Sequence, residues 1–347
     1  MSRYPYFYGN THQVIGYYDI NPINLAAAIT VNLPGNNASL AINTGAFILN
    51  PQLYSVLSPI KSVNITLGNG ANHIVSSGAA NTIFLGDGNN TVATAGFRDF
   101  VYLGNGNNTV NYYGKGYSVF ELGNGHNTVV DHNGSHDSFY VGGNATVIAN
   151  GSYQQIDAGA GGGNVSISAL GVADHIAVDA NAQSVDTIKM GSSSTLWISG
   201  GRDQITLNGN GDTVLADALV AGSNITAHGN AMLFIGSNSS ATIHLDLNAR
   251  NVITIQALGG DSKYTGTLHV TGFGPDDRMT LNGLGFHKST GIFTQAQYNP
   301  VDDVLSKYDA ATHTLSFAGG GRVIFDATSD IRSTEFLVGS AHGRVEL

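Results

Sequence analysis

The chain has 347 residues with a formal net charge of −10, no cysteine, 46 glycines and only 11% charged residues, against a usual charged share of about 25%. The acidic balance excludes a phosphate-neutralising nucleic-acid surface, the missing cysteines exclude disulfides and thiol chemistry, and no apolar run reaches the roughly 18 residues of a membrane-spanning helix. Val, Ile and Leu recur throughout, so the chain can bury a core, and its polar surface must be built from Asn, Ser, Thr and Gly.

Residues 1–59 come first and read as an amino-terminal cap and assembly region. They are rich in tyrosine (Tyr4, Tyr6, Tyr8, Tyr17, Tyr18) and carry Pro5, Pro22 and Pro34. No charged segment followed by an apolar one marks a classical signal peptide there.

Residues 60–260 read as a repeat array. The phrase LGxG begins at Leu67, Leu85, Leu103 and Leu122, spaced by 18, 18 and 19 residues. Each unit divides again. A β-branched residue stands at Ile65, Ile74, Ile83, Val92, Val101, Val110, Val119 and Val129, at six intervals of nine and one of ten. Short alternating stretches around these positions predict strands, and the glycines between them predict tight corners. Nine residues make a strand and a turn, and eighteen make a coil. Stacked coils give an all-β fold, a parallel β-solenoid of the β-roll or narrow β-helix type. The pattern continues more loosely through Ile176, Ile188, Ile205, Val214, Ile225, Ile243 and Ile253. Residues 261–347 lose the register and are expected to form a carboxyl-terminal cap.

The nonapeptides "LGDGNNTVA" (85–93) and "LGNGNNTVN" (103–111) resemble the RTX repeat, GGxGxDxUx, where U is a large apolar residue. In that family the glycine carbonyls and the Asp carboxylate hold calcium between coils. The resemblance therefore implies weak calcium sites at Gly86, Asp87, Gly88, Gly104 and Gly106, with Asp203 and Asp212 as carboxylate donors further on. It is weak because the family's Asp is replaced by Asn72, Asn90, Asn108 and Asn127, which lose the ligand charge that tunes calcium affinity. Inward or corner Asn residues have a second reading, an amide ladder tying coil to coil. Segments 268–286, 308–317 and 335–340 look like the ending of RTX proteins ahead of a type I secretion signal, which implies export to the extracellular space or cell surface.

No catalytic constellation stands out, and the chain is not expected to be an enzyme. Asp276–Asp277 and Asp302–Asp303 are neighbours that a strand would point to opposite faces. The twelve histidines, His132 and His136 among them, are scattered and read as surface residues. Three functions stay open. The first is a secreted structural protein that assembles with itself into a filament or layer, residues 1–20 touching the next subunit. The second is a carbohydrate-binding module using Tyr112, Tyr113 and Tyr117 on a cell-surface or matrix polysaccharide. The third is a polysaccharide-modifying β-helix enzyme.

Overall fold

A computed structural model describes residues 2–8, 13–20, 29–33, 38–42, 63–76, 80–160, 162–256, 264–282, 308–317, 319–327, 329, 335–338 and 341–344. The fold is an all-β parallel solenoid of about 10 turns, with no helix among the described residues. Among the described residues no helix is long and apolar enough to cross a membrane. The chain forms two compact units, residues 1–176 and 177–347.

In the amino-terminal unit each coil supplies one strand to each of two sheets. The first sheet takes Val63–Leu67, Thr82–Leu85, Phe100–Leu103, Val119–Leu122, Ser138–Gly142 and Gln155–Ala160. The second takes His73–Ser76, Thr91–Thr94, Thr109–Tyr112, His126–Asp131, Asn144–Ala149 and Val165–Ala169. Every strand is parallel to its neighbours one coil away. The core is narrow. Ile65, Ile83, Val101, Phe120, Phe139 and Ile156 from the first sheet and Ile74, Val92, Val110, Val129, Val147 and Ile167 from the second are all buried. Buried and outward residues alternate along each strand, as a pleated strand with one face in the core requires.

One position departs from the nine-residue pattern. The residue that aligns with Val101 is Phe120, and Val119 points outward opposite Phe100. This coil is one residue longer, and the extra residue is absorbed before the strand begins. A single-residue slip sends every side chain of a strand to the other face.

The parallel ladder also takes in strands on both sides of residues 60–260. Ile29–Leu33 pairs parallel with Val63–Leu67, and Ala38–Ile42 with His73–Ser76. Ser2–Tyr8 and Gln13–Ile20 form an antiparallel hairpin, with Tyr4 opposite Tyr18, and Ser2–Tyr8 pairs antiparallel with Ala38–Ile42. The five tyrosines expected to make subunit contacts all lie in this hairpin.

The carboxyl-terminal unit repeats the plan with longer coils. Ile188, Ile205, Ile225, Ile243, Val270 and Phe325 align in one sheet. Leu196, Val214, Leu233, Ile253 and Met279 align in the other. Both sheets change to antiparallel pairing at the carboxyl-terminal side. Thr314–Ser316 runs against Arg322–Phe325, and Ala341–Arg344 against Glu335–Val338. Antiparallel closing strands interrupt a parallel edge that would otherwise template further pairing.

Candidate functional site

The corner written LGxGxN lies between a first-sheet strand and the next second-sheet strand. Asn72, Asn90, Asn108 and Asn127 are buried there, one per coil. The Nδ2 of Asn72 donates to Oδ1 of Asn90 (2.8 Å), Asn90 to Asn108 (3.0 Å) and Asn108 to Asn127 (3.0 Å). The same Nδ2 atoms donate to glycine carbonyls of their own corner. Asn90 reaches the oxygens of Gly86 (2.9 Å) and Gly88 (3.2 Å), and Asn108 those of Gly104 (2.9 Å) and Gly106 (3.2 Å). The amide ladder is therefore present, and the four glycine carbonyls expected to ligate calcium accept amide hydrogens. Corner glycines stack closely. Gly106 has φ of +129°, and a β-carbon on it would lie 2.2 Å from the Gly88 carbonyl oxygen.

Asp87 stands on the outside of this corner. Asn69, Asp87, Asn105 and Asn124 form an exposed row. Each side-chain oxygen accepts the backbone N–H one coil on: Asp87 to Asn69 (2.9 Å), Asn105 to Asp87 (2.7 Å) and Asn124 to Asn105 (2.9 Å).

The opposite corner carries a second buried row: Asn81, Asp99, Ser118, Asp137, Gln154 and Asp174. Here the direction along the stack is reversed. The backbone N–H of each donates to the side-chain oxygen of the next, at 2.7–2.9 Å. Burial raises the pKa of Asp99, Asp137 and Asp174, against the lowering effect of these hydrogen bonds, to about 7 for Asp137 and about 6 for Asp174. Asp131 is buried beside this row, accepts from Gln154 Nε2 (2.9 Å) and is also raised by burial. Tyr112 is fully buried here too, its hydroxyl donating to the Gly96 carbonyl (2.9 Å) and accepting from Gly116 N–H (2.9 Å). It is no exposed sugar platform: at the end of its strand it falls on the inward parity.

The residues preceding this row are left-handed without being glycine: Ala80, Arg98, Tyr117, His136, Tyr153 and Ala173, with φ between 53° and 62°. Tyr117, His136 and Tyr153 stack in a column, with centroids 4.8 Å apart at each step. Tyr113 stacks on His132 at 4.2 Å. These two histidines are thus ordered members of aromatic columns, which spacing alone did not reveal.

In the carboxyl-terminal unit Asp203 and Asp212 are both buried, but they flank the strand Gln204–Leu207 and sit at opposite corners. Asp203 lies beside Asp186; burial first, then the Asp186 charge, raises its pKa. Asp212 accepts the Ser194 N–H (3.0 Å), and burial raises it as well. Among the described residues no three His, Asp or Glu side chains converge as metal ligands. Asp276 is exposed and Asp277 buried, on opposite faces; Asp302 and Asp303 lie outside the described residues.

Two outward faces remain. In the amino-terminal unit Tyr102, Glu121, Tyr140 and Asp157 align across four adjacent strands. With Asn105 and Asn124 they line an open groove of about 480 Å³. In the carboxyl-terminal unit Thr195, Thr213, Met232 and Val252 form one outward column, and Trp197, Leu215 and Phe234 a second, which ends at the buried Thr254. No charged residue interrupts these seven outward positions. Neither face follows from the repeat phrase, because the outward position after each core residue varies freely from coil to coil.

Comparison with protein-family models, curated proteins and solved structures returns no match.

Proposed function

We propose that this chain is a secreted structural protein that assembles with copies of itself through a flat sheet face of its carboxyl-terminal unit. The observation that carries this reading is the charge-free face just described. Trp197 is 41% exposed and Met232 45%, with Leu215 and Phe234 between and beside them. A contiguous apolar face of this kind marks an association surface. Sheets pack face to face through such columns at about 10 Å. The face itself carries no charged side chain, so it adds no local repulsion between copies. The RTX-like phrases near the carboxyl end support export by a type I route. The tyrosine-bearing strands Ser2–Tyr8 and Gln13–Ile20 supply a second, weaker contact that holds only together with the face.

In this reading calcium is dispensable at the Asn corners. The Asn Nδ2 hydrogens meet the glycine carbonyls that the metal meets in RTX rolls, so the amide takes the place of the cation.

Negative-stain electron microscopy of the purified chain, with chelator and then with added calcium, tests the assembly. Filaments or sheets in both conditions are expected. The double variant Trp197→Lys/Phe234→Lys should leave separate particles with an unchanged β-sheet circular dichroism spectrum. Uniform separate particles of the unaltered chain in every condition refute the reading.

A further inference from the structure

We propose that the groove across the first sheet of the amino-terminal unit binds a linear, uncharged glycan lying across the strands. This site is independent of the assembly face, which belongs to the other unit.

The argument starts from register. Tyr102, Glu121, Tyr140 and Asp157 are direct neighbours on successive strands, so aromatic and carboxylate side chains alternate along the sheet. Strands lie about 4.8 Å apart, which puts the two tyrosines about 10 Å apart and the two carboxylates likewise. Tyr102 is 44% exposed, and Asp157 is exposed beyond Tyr140. Phe84 extends the aromatic row, with its ring 6.1 Å from that of Tyr102. Along one edge Asn105 and Asn124 are held by the outer corner row, the Oδ1 of Asn105 accepting the Asn124 N–H (2.9 Å). Their exposed amides offer N–H donors beside the carboxylate acceptors.

This set fits sugar rings. An aromatic face covers the C–H side of a pyranose, a carboxylate accepts from hydroxyls, and an amide donates to them. The alternation repeats at a fixed step, so a polymer with a regular repeat is matched better than a single small molecule. Charge narrows the class. No lysine, arginine or histidine lines the groove, and two carboxylates do, so uronic-acid or sulfated glycans are repelled. An extended peptide lacks its usual purchase. The strands Phe100–Leu103, Val119–Leu122 and Ser138–Gly142 are each paired on both sides, so no sheet edge is open for strand addition.

Isothermal titration of the full chain with soluble neutral cello-, xylo-, manno- and laminari-oligosaccharides tests the site, with polygalacturonate and polylysine as charged controls. Saturable binding of at least one neutral oligosaccharide is expected. Tyr102→Ala and Tyr140→Ala should each weaken it about tenfold, equivalent to ~1.4 kcal/mol. Both side chains are outward, so circular dichroism should be unchanged. Glu121→Gln should keep most neutral binding and admit polygalacturonate. No binding of any neutral oligosaccharide, or binding that survives the Tyr102→Ala/Tyr140→Ala double variant, overturns the proposal. Binding of polylysine alone overturns it in favour of a cationic polymer. Titrating Trp197→Lys/Phe234→Lys in parallel separates the two sites, because that variant should lose assembly and keep glycan binding.

Discussion

The two corners of the amino-terminal unit solve one problem with different chemistry. Each must satisfy the backbone of stacked turns whose polar side chains are buried. The corner of Asn72, Asn90, Asn108 and Asn127 uses amides throughout. An amide both accepts and donates, so each Asn serves its own glycine carbonyls and the next coil at once. In the corner of Asn81, Asp99, Ser118, Asp137, Gln154 and Asp174 the one need shared by every coil is an acceptor for a backbone N–H. Any side chain with an oxygen meets that need, and the row is mixed accordingly. The carboxylates in it bring burial energy and pH sensitivity that the amides lack. A uniform ladder is required where each residue must donate as well as accept.

Among changes that leave the corner backbone intact, the largest effect should come from cutting the amide ladder. Asn108→Leu removes the donor to Gly104, Gly106 and Asn127 and the acceptor for Asn90. Buried groups left without partners cost about 1–3 kcal/mol each, so a loss of about 3–5 kcal/mol is expected in urea unfolding. Ser118→Ala at the other corner removes the acceptor for the Asp99 N–H and a partner of the Tyr112 hydroxyl, which keeps Gly96 and Gly116, and should cost about 1–2 kcal/mol. Equal losses would erase the distinction between the corners.

Next in size is the exchange of chemistry between them. Asn90→Asp/Asn108→Asp restores the RTX carboxylate and removes the donors to four glycine carbonyls. With chelator the variant should lose about 2–4 kcal/mol at neutral pH. Calcium should restore much of that loss, whereas the unaltered chain should melt at the same temperature with and without the metal. A calcium-dependent melting temperature in the unaltered chain would show that the amide does not replace the cation.

The reverse exchange is smaller. Asp137 Oδ1 accepts the Ser118 N–H, and its Oδ2 is buried without a hydrogen-bond partner. Burial raises its folded pKa to about 7 from the ordinary 3.8. Between these values the folded state holds a proton that the unfolded state has released. Stability from this group is therefore full below about pH 4 and is lost as the pH rises through 7. Asp137→Asn keeps the Oδ1 acceptor and removes the charge. It should raise stability by about 1–2 kcal/mol at pH 8, after discounting for solvent relaxation, and leave it unchanged near pH 4. Melting curves across that range check the sign, and a gain at pH 4 equal to that at pH 8 would contradict it.

Much of the interior was legible because it is periodic. Nine-residue spacing identified Ile65, Ile74, Ile83, Val92, Val101, Val110 and Val129 as core, and all are buried. Val119 failed because coil length, not residue type, sets parity, and an aromatic at Phe120 serves as well as a valine. Tyr112 was misplaced for a related reason: tyrosine suits either face, and only its position on the strand decides. The acid corner escaped notice since its row mixes Asn, Asp, Ser and Gln. The groove and the apolar face were invisible because outward residues obey no repeat.

The smallest expected effect concerns the backbone of the same two corners. At the amide corner the left-handed positions are Gly70, Gly88, Gly106 and Gly125, with φ from 124° to 141°, a region closed to residues with a β-carbon. At the acid corner φ near 60° is open to other residues at a cost of about 1–2 kcal/mol. Tyr117, His136 and Tyr153 bear that strain and recover part of it by stacking. Tyr117→Gly relieves the strain and loses the stack on His136 and the edge contact with Phe97, together worth about 1–2 kcal/mol, so the two should nearly cancel, within about 0.5 kcal/mol. Gly106→Tyr has no such compensation and should prevent the coils from stacking. A clear stabilisation by Tyr117→Gly would mean that the rings contribute little to folding and that their strained, exposed placement is kept for contact with another molecule.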